Sequence, residues 1–343
     1  MLEALRELSL LNGISGREDE VREYIIDKVR DSADSMEVDP SGNLIVFRRG
    51  AQTPPMKVML DAHMDEVGMI ITAVRDDGTL SFERVGGVSP HVMYGKPVSV
   101  GVQRIPGAIG VKPVHLVPQS EKLTVPEDMY IDIGAENRED ALRLVKPGDF
   151  ACFDSEFTEF GDGFVKGKAL DDRAGCAILI DMINSDLPCD MYFCFSAGEE
   201  VGLGMAGTAA YRVRPDRAIV VETTTAADVA GMPANKTICR LGDGAVISFM
   251  DKRTVYPARL FERALELARR NGIKAQVKSA VSGGNNAGAI HKTAGGVGTV
   301  AVSVPCRYLH SPSCVLKTDD VTASARLVAL LAEDLAYDKI DIR

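Results

Sequence analysis

Apolar residues recur along this chain with two periods, and the switches between them outline its architecture. Leu2, Leu5, Leu8 and Leu11 stand at three-residue steps, close enough to helical period to line one face. A second helix is expected from Ser15. Ser15 and Glu18 have capping-box spacing, and Val21, Tyr24, Ile25, Ile26 and Val29 supply an apolar face. Residues 39–43 (DPSGN) read as a turn and 44–47 as a short strand. Residues 57–61 (KVMLD) form a continuous apolar run, the kind buried in a sheet covered on both faces. That run leads straight into the polar stretch AHMDEVG.

From about residue 67 to 159 the texture changes to short β-rich pieces, at 68–74, 80–85, 97–102 and 108–111. Turn signals such as Asp76-Asp77-Gly78, Gly86-Gly87 and Pro106-Gly107 separate them, and only 136–144 reads as helical. This predicts a small inserted β-barrel. Alternation of strand and helix returns near Gly161. Helices are expected at 172–183, 206–211, 257–271 and 318–338, and strands at 191–197, 218–222, 245–249 and 297–304. Such alternation implies a mixed, mostly parallel sheet flanked by helices. The predicted organisation is an α/β domain of residues 1–66 plus 160–343, interrupted by a barrel domain at 67–159.

Composition narrows the partners. The 343 residues suffice for two domains, and 39 basic against 49 acidic side chains give a net charge of −10. An acidic chain argues against nucleic acid and anionic membranes as main partners. No apolar run approaches the roughly 18 residues of a membrane span. The N-terminus carries Glu3 and Glu7 and no basic leader region, so it does not read as a signal peptide. Seven cysteines with no CxxC pair read as reduced thiols of a cytoplasmic protein. Cys306-x3-His310-x3-Cys314 is only faintly finger-like, because no second ligand pair of suitable spacing lies near.

Acids and histidines gather at the ends of predicted strands, where open α/β sheets place their ligands. His63 and Asp65, two apart in extended chain, share a side, so Asp65 can orient one imidazole nitrogen and leave the other for a metal. Asp171 and Asp172 repel each other unless a cation or hydrogen bonds intervene, although a helix cap also explains either. Glu199 and Glu200 close an apolar strand and face opposite ways, which lets one bind a metal and the other reach its water. Glu222 and His310 each follow an apolar strand, and alone each has a plain structural reading. Together, two histidines and at least three carboxylates suit two ions of the zinc, cobalt or manganese kind. Two such ions with a free glutamate suit hydrolysis, most naturally of an amide bond.

The motifs AHMDEVG, KALDDRAGC, SAGEEVGLGMAG, SGGNNAGAI and RYLHSP, with an acid after a strand between the third and fourth, resemble the M42 metallo-aminopeptidases in identity and order. The resemblance covers nearly the whole chain. It implies a zinc-exopeptidase-like fold with an inserted barrel that serves oligomerisation. It implies that His63, Asp171 and Glu222 bind one divalent ion and that Asp171, Glu200 and His310 bind a second. Zinc or cobalt is expected, with manganese as a further candidate. Glu199 is then the general acid/base, Asp65 the residue orienting His63, peptides the substrates, and a homo-oligomer such as a dodecamer the assembly. Asp172 is expected to hold the turn and Arg173.

Two positions depart from the family pattern. Glu222 stands where Asp is commoner, and Asn286 stands in SGGNNAGAI where the family commonly has Asp, which removes a charge near the site. His91, His115 and His291 match no ligand position and read as structural or cleft-lining, with an interface role open to His115. Rival readings are a metal-dependent amidohydrolase acting on N-acyl amino acids, a non-catalytic member, and a glycoside hydrolase. The last is disfavoured by the absence of tryptophan platforms.

Overall fold

The computed structural model describes residues 1–111, 129–202 and 204–338. The chain begins with α1 (Leu2–Leu10), α2 (Asp19–Val29), β1 (Ser35–Val38), β2 (Leu44–Arg48) and β3 (Val58–His63). Then come β4 (Gly68–Val74), β5 (Leu80–Val85), α3 (Pro90–Met93), β6 (Pro97–Val100), β7 (Ile105–Val111), β8 (Met129–Asp132), α4 (Arg138–Leu142) and β9 (Phe150–Phe153). The central part contains β10 (Thr158–Phe160), β11 (Phe164–Gly167), α5 (Leu170–Ile183), β12 (Met191–Ser196), α6 (Glu199–Gly202), α7 (Met205–Val213) and β13 (Arg217–Thr225). The last part contains β14 (Ala245–Ile247), α8 (Ala258–Arg270), β15 (Ala275–Val277), α9 (Ala287–Ile290), β16 (Gly298–Cys306), β17 (Cys314–Lys317) and α10 (Thr318–Tyr337).

An eight-stranded sheet runs in the order β1-β2-β12-β3-β13-β16-β14-β15. Its middle strands β12, β3, β13 and β16 are parallel, while β1, β2 and β14 join antiparallel to their inner neighbours. Strand periodicity explains the two covered faces. In β3, Val58, Leu60 and Ala62 pack with α1, α5 and α10, whereas Met59 packs with Ala206, Ala209 and Ala210 of α7 and Ile290 of α9. Both faces are therefore apolar, which is why the strand read as a continuous run.

The inserted strands close into a barrel, β4-β5-β8-β7-β6-β9, around its own core of Met69, Ile71, Leu80, Phe82, Val98, Val100, Ile131 and Phe153. A separate three-stranded antiparallel sheet, β10-β11-β17, pairs Gly167 with Cys314. That pairing was not legible in the sequence, yet it brings the start of α5 beside the loop that follows β16. The predicted helix at 136–144 is shorter, and β14 ends before Phe249. His115 lies outside the described residues. All seven cysteines are buried free thiols. No helix among the described residues is long and apolar enough to cross a membrane.

One local prediction fails. Ser15 and Glu18 form no capping box, and α2 starts only at Asp19 without a side-chain cap. Ser15 Oγ donates instead to Asp65 Oδ2 at 2.6 Å, and Glu18 Oε1 accepts from Gly198 N at 3.1 Å. The two residues brace distant loops, Ser15 through the buried Asp65 carboxylate and Glu18 through the buried Gly198 N–H.

At the junction with the barrel, Glu66 sits 2% exposed between two buried cations. Its Oε1 accepts from Lys168 Nζ at 2.6 Å and from Gly13 N at 3.1 Å, and Arg173 Nη2 lies 3.6 Å away. Arg173 does not engage Asp172, contrary to expectation, but donates to Leu8 O at 2.7 Å. Glu66→Ala leaves both cations buried without a counter-charge, so a loss of about 3–5 kcal/mol is expected. Urea unfolding checks this, and an unchanged midpoint contradicts it.

Candidate metal centre

Three of the site segments lie at or beyond the carboxyl ends of adjacent parallel strands, and a fourth lies within one. His63 ends β3, Glu199 and Glu200 follow β12, Glu222 lies within β13, and His310 follows β16. Asp171 comes from the irregular first turn of α5, where Asp171 (φ −88°, ψ 111°) and Asp172 (φ −116°, ψ 42°) are both non-helical. The regular helix begins after them, so the turn points the Asp171 carboxylate out of the helix and into the strand ends.

His63 Nδ1 lies 3.0 Å from the Asp65 carbonyl oxygen and 3.3 Å from Asp65 Oδ1. Both are acceptors, so Nδ1 carries the hydrogen and Nε2 is left to face inward. Nε2 lies 3.3 Å from Asp171 Oδ1 and 3.4 Å from Glu222 Oε1. His310 repeats the arrangement. Its Nδ1 lies 3.2 Å from the Gly87 carbonyl oxygen, and its Nε2 lies 3.3 Å from both Asp171 Oδ2 and Glu200 Oε1. The two oxygens of Asp171 thus address two different histidines. His63, Asp171 and Glu222 offer ligand atoms within 4.8 Å of one another, and so do Asp171, Glu200 and His310.

Asp65 does more than face His63. Its two oxygens accept from Glu199 N at 3.0 Å and Glu200 N at 3.1 Å, fixing the turn that presents both glutamates. Asp172 is fully buried, with Oδ1 accepting from Gly175 N at 3.0 Å and Oδ2 unpartnered among the described residues. Asn286 lies beneath the site, 1% exposed, and donates to Asp61 Oδ2 at 2.9 Å and Ser196 Oγ at 2.7 Å. An aspartate there would set two buried carboxylates face to face, so Asn286 suits Asp61. His91 and His291 are absent from the described lining of the cleft. His310 points away from Cys306 and Cys314, whose thiols instead lie near backbone carbonyls. The finger-like spacing therefore builds no site.

The electrostatics fit a cation. Burial raises Glu199 and Asp172 well above the usual carboxylate range, and it pushes Glu200 up to about 8 and Glu222 up to about 7. Burial also pulls on Asp171 in that direction, but His310 and His63 outweigh it and hold the carboxyl far below its ordinary value. Burial disfavours the imidazolium of His310, yet Asp171 and Glu200 push it up to about 10. Among the described residues, the ion pairs reaching these acids come from the two histidines alone. A lone pair of Nε2 aimed at carboxylate oxygens is repulsive unless a proton or a cation lies between them. Mixed imidazole and carboxylate donors suit zinc, cobalt or manganese better than calcium.

The acids line a cleft of about 660 Å³. The cleft is also lined by Lys278 and Arg253, which sequence reasoning missed because nothing in local spacing ties a lone basic residue to the strand ends.

A mixed α/β sheet with an inserted closed barrel, carrying histidines and carboxylates at parallel strand ends, defines a hydrolase of metallopeptidase build. The M42 glutamyl aminopeptidase family matches residues 42–327, and the chain belongs to that family of peptidases. An Acetivibrio thermocellus protein inferred to be an aminopeptidase is 37% identical over 96% of this chain and 97% of its own. The structure of an aminopeptidase from the archaeon Desulfurococcus kamchatkensis superposes with a TM-score of 0.92 at 31% identity, covering 96% of this chain and 94% of that one. The Pyrococcus horikoshii TET1 peptidase, which can assemble into a tetrahedron or a large octahedral shell, gives 0.84 at 36% identity over 96% and 98% of the two chains.

Cation binding requires the ligands deprotonated. Without a cation, Glu222 at about 7, Glu200 at about 8 and His310 at about 10 retain protons near neutral pH. Binding therefore releases protons, and affinity falls as pH drops through this range. Calorimetry at neutral pH in buffers of different ionisation heat is expected to show net proton release, and zero release contradicts the assignment.

Proposed function

We propose that this protein is a dinuclear metal-dependent aminopeptidase that removes residues from the N-termini of peptides. The observation that carries the reading is Asp171, whose two carboxylate oxygens each lie 3.3 Å from a different histidine Nε2. His63, Asp171 and Glu222 would hold one ion and Asp171, Glu200 and His310 the other, zinc or cobalt being preferred and manganese accepted. When bound, the two ions polarise the scissile carbonyl and lower the pKa of water. The protein's own part is positioning and proton transfer. Glu199 is buried and makes no ion pair with either histidine, so its carboxylate is free to take a proton from the attacking water. Returning that proton to the departing amine nitrogen completes hydrolysis and restores Glu199.

Glu199→Gln is expected to retain two ions and lose about 10²–10⁴-fold in turnover. Full activity in that variant contradicts the role. Asp171→Ala is expected to lose both ions together, whereas Asp172→Asn, which keeps an acceptor for Gly175 N, is expected to retain them; metal analysis decides. Activity on aminoacyl anilides but not on acylated amino acids separates this reading from an amidohydrolase.

The cleft also favours one kind of first residue. Lys278 is 9% exposed, and among the described residues its ammonium has one hydrogen-bond partner, the Ser282 carbonyl oxygen at 3.0 Å. Burial lowers its pKa, while Asp251 and Glu222 act to keep it charged. A substrate carboxylate would satisfy its remaining donors. Glutamyl and aspartyl anilides are therefore expected to be cleaved faster than leucyl or lysyl ones, and Lys278→Glu to reverse the order. A wild-type preference for lysyl substrates contradicts this.

The barrel unit at 67–159 is assigned to assembly of a homo-oligomer, a dodecamer among the forms expected. The shells formed by the TET1 peptidase of similar fold support this.

A further inference from the structure

The two histidines are oriented by different parts of the chain. His63 is 1% exposed and is held by Asp65, two residues away in the same strand-end segment. His310 is held by the barrel. Its Nδ1 has, among the described residues, a single hydrogen-bond partner, the carbonyl oxygen of Gly87, in the loop between β5 and α3. The same loop passes close to Glu200: a Cβ at Gly86 would lie 3.2 Å from Glu200 Cβ, and one at Gly87 would lie 3.1 Å from His310 Nδ1. Gly86 adopts φ +81°, open to glycine at little cost, so both positions suit residues without a side chain. Arg84 Nη1 donates to Val88 O at 2.6 Å, and Val88 is buried in the barrel core. The loop is therefore fastened to the barrel at its far end. His310 itself sits at φ +57°, a conformation that costs a non-glycine residue energy and needs outside support.

We infer that the Gly86–Gly87 loop of the barrel is a positioning element for the Asp171–Glu200–His310 site, setting the tautomer of His310 and the seat of Glu200, so that this site alone depends on how the barrel docks. A carbonyl oxygen only accepts, so Gly87 fixes the hydrogen on Nδ1 and leaves Nε2 free for a cation. Among the described residues, no barrel hydrogen bond or ion pair reaches His63 or Glu222. The inference rests on the metal-binding reading given above.

The full-length apo protein is titrated with Zn²⁺ alone by calorimetry, and bound metal is counted by mass spectrometry. Wild type is expected to bind two ions. Gly87→Ala is expected to weaken one site by about 10–100-fold and leave the other unchanged. The ¹⁵N signature of a His310 Nδ1–H tautomer is expected to be lost in that variant. Arg84→Met adds no bulk beside His310 and is expected to weaken the same site by a smaller factor. If Gly87→Ala does not fold, Arg84→Met decides. Two ions bound with wild-type affinities in the folded variants overturn the inference and leave the metal reading standing. Loss of both sites in parallel also overturns it. A wild type that binds fewer than two ions overturns the metal reading, and the inference with it.

Discussion

Five carboxylates crowd into one largely buried pocket, and their mutual repulsion is the constraint to which the surrounding structure answers. Asp171, Asp172, Glu199 and Glu222 are each less than a tenth exposed. Burial drives most of them toward the protonated form, and the two histidines offset only part of the charge. A core of this kind is unfavourable for stability by itself. It persists because every element around it fixes a carboxylate at one place, which is what binding a cation demands.

Three separate pieces of architecture deliver that fixing. The parallel strands β12, β3, β13 and β16 present Glu199, Glu200, His63, Glu222 and His310 on one side of the sheet. The small sheet that pairs Gly167 with Cys314 sets Asp171 against His310. The barrel then contributes a backbone carbonyl to His310. Behind these, Asp65 and Glu18 hold the turn that carries the two glutamates. Several of the buried polar groups here are held by residues far away in sequence, which makes their placing rigid and specific at once.

Much of this was readable from the chain. Strand-length apolar runs with acids or histidines at their ends located His63, Glu199, Glu200, Glu222 and His310, because strand ends in open sheets are where ligands gather. The barrel was legible as a change from helical spacing to short β pieces. Elsewhere local spacing misled. Ser15 and Glu18 look like a helix cap and instead serve Asp65 and Gly198. Arg173 looks like a partner for Asp172 and instead meets Leu8 and Glu66. Side-chain hydrogen bonds of Ser, Asp and Glu are not tied to sequence neighbours once the chain folds back on itself.

Periodicity and turn chemistry in the sequence determined the α/β scaffold and the inserted barrel, since these depend on neighbours within a few residues, and the motifs shared with the M42 family picked out the candidate ligands. The bracing of the glutamate turn by Asp65, the docking of Gly87 on His310 and the placing of Lys278 in the cleft were decided only by tertiary structure. Each is a contact between segments far apart in the chain, and one-dimensional spacing carries no information about which distant segments meet.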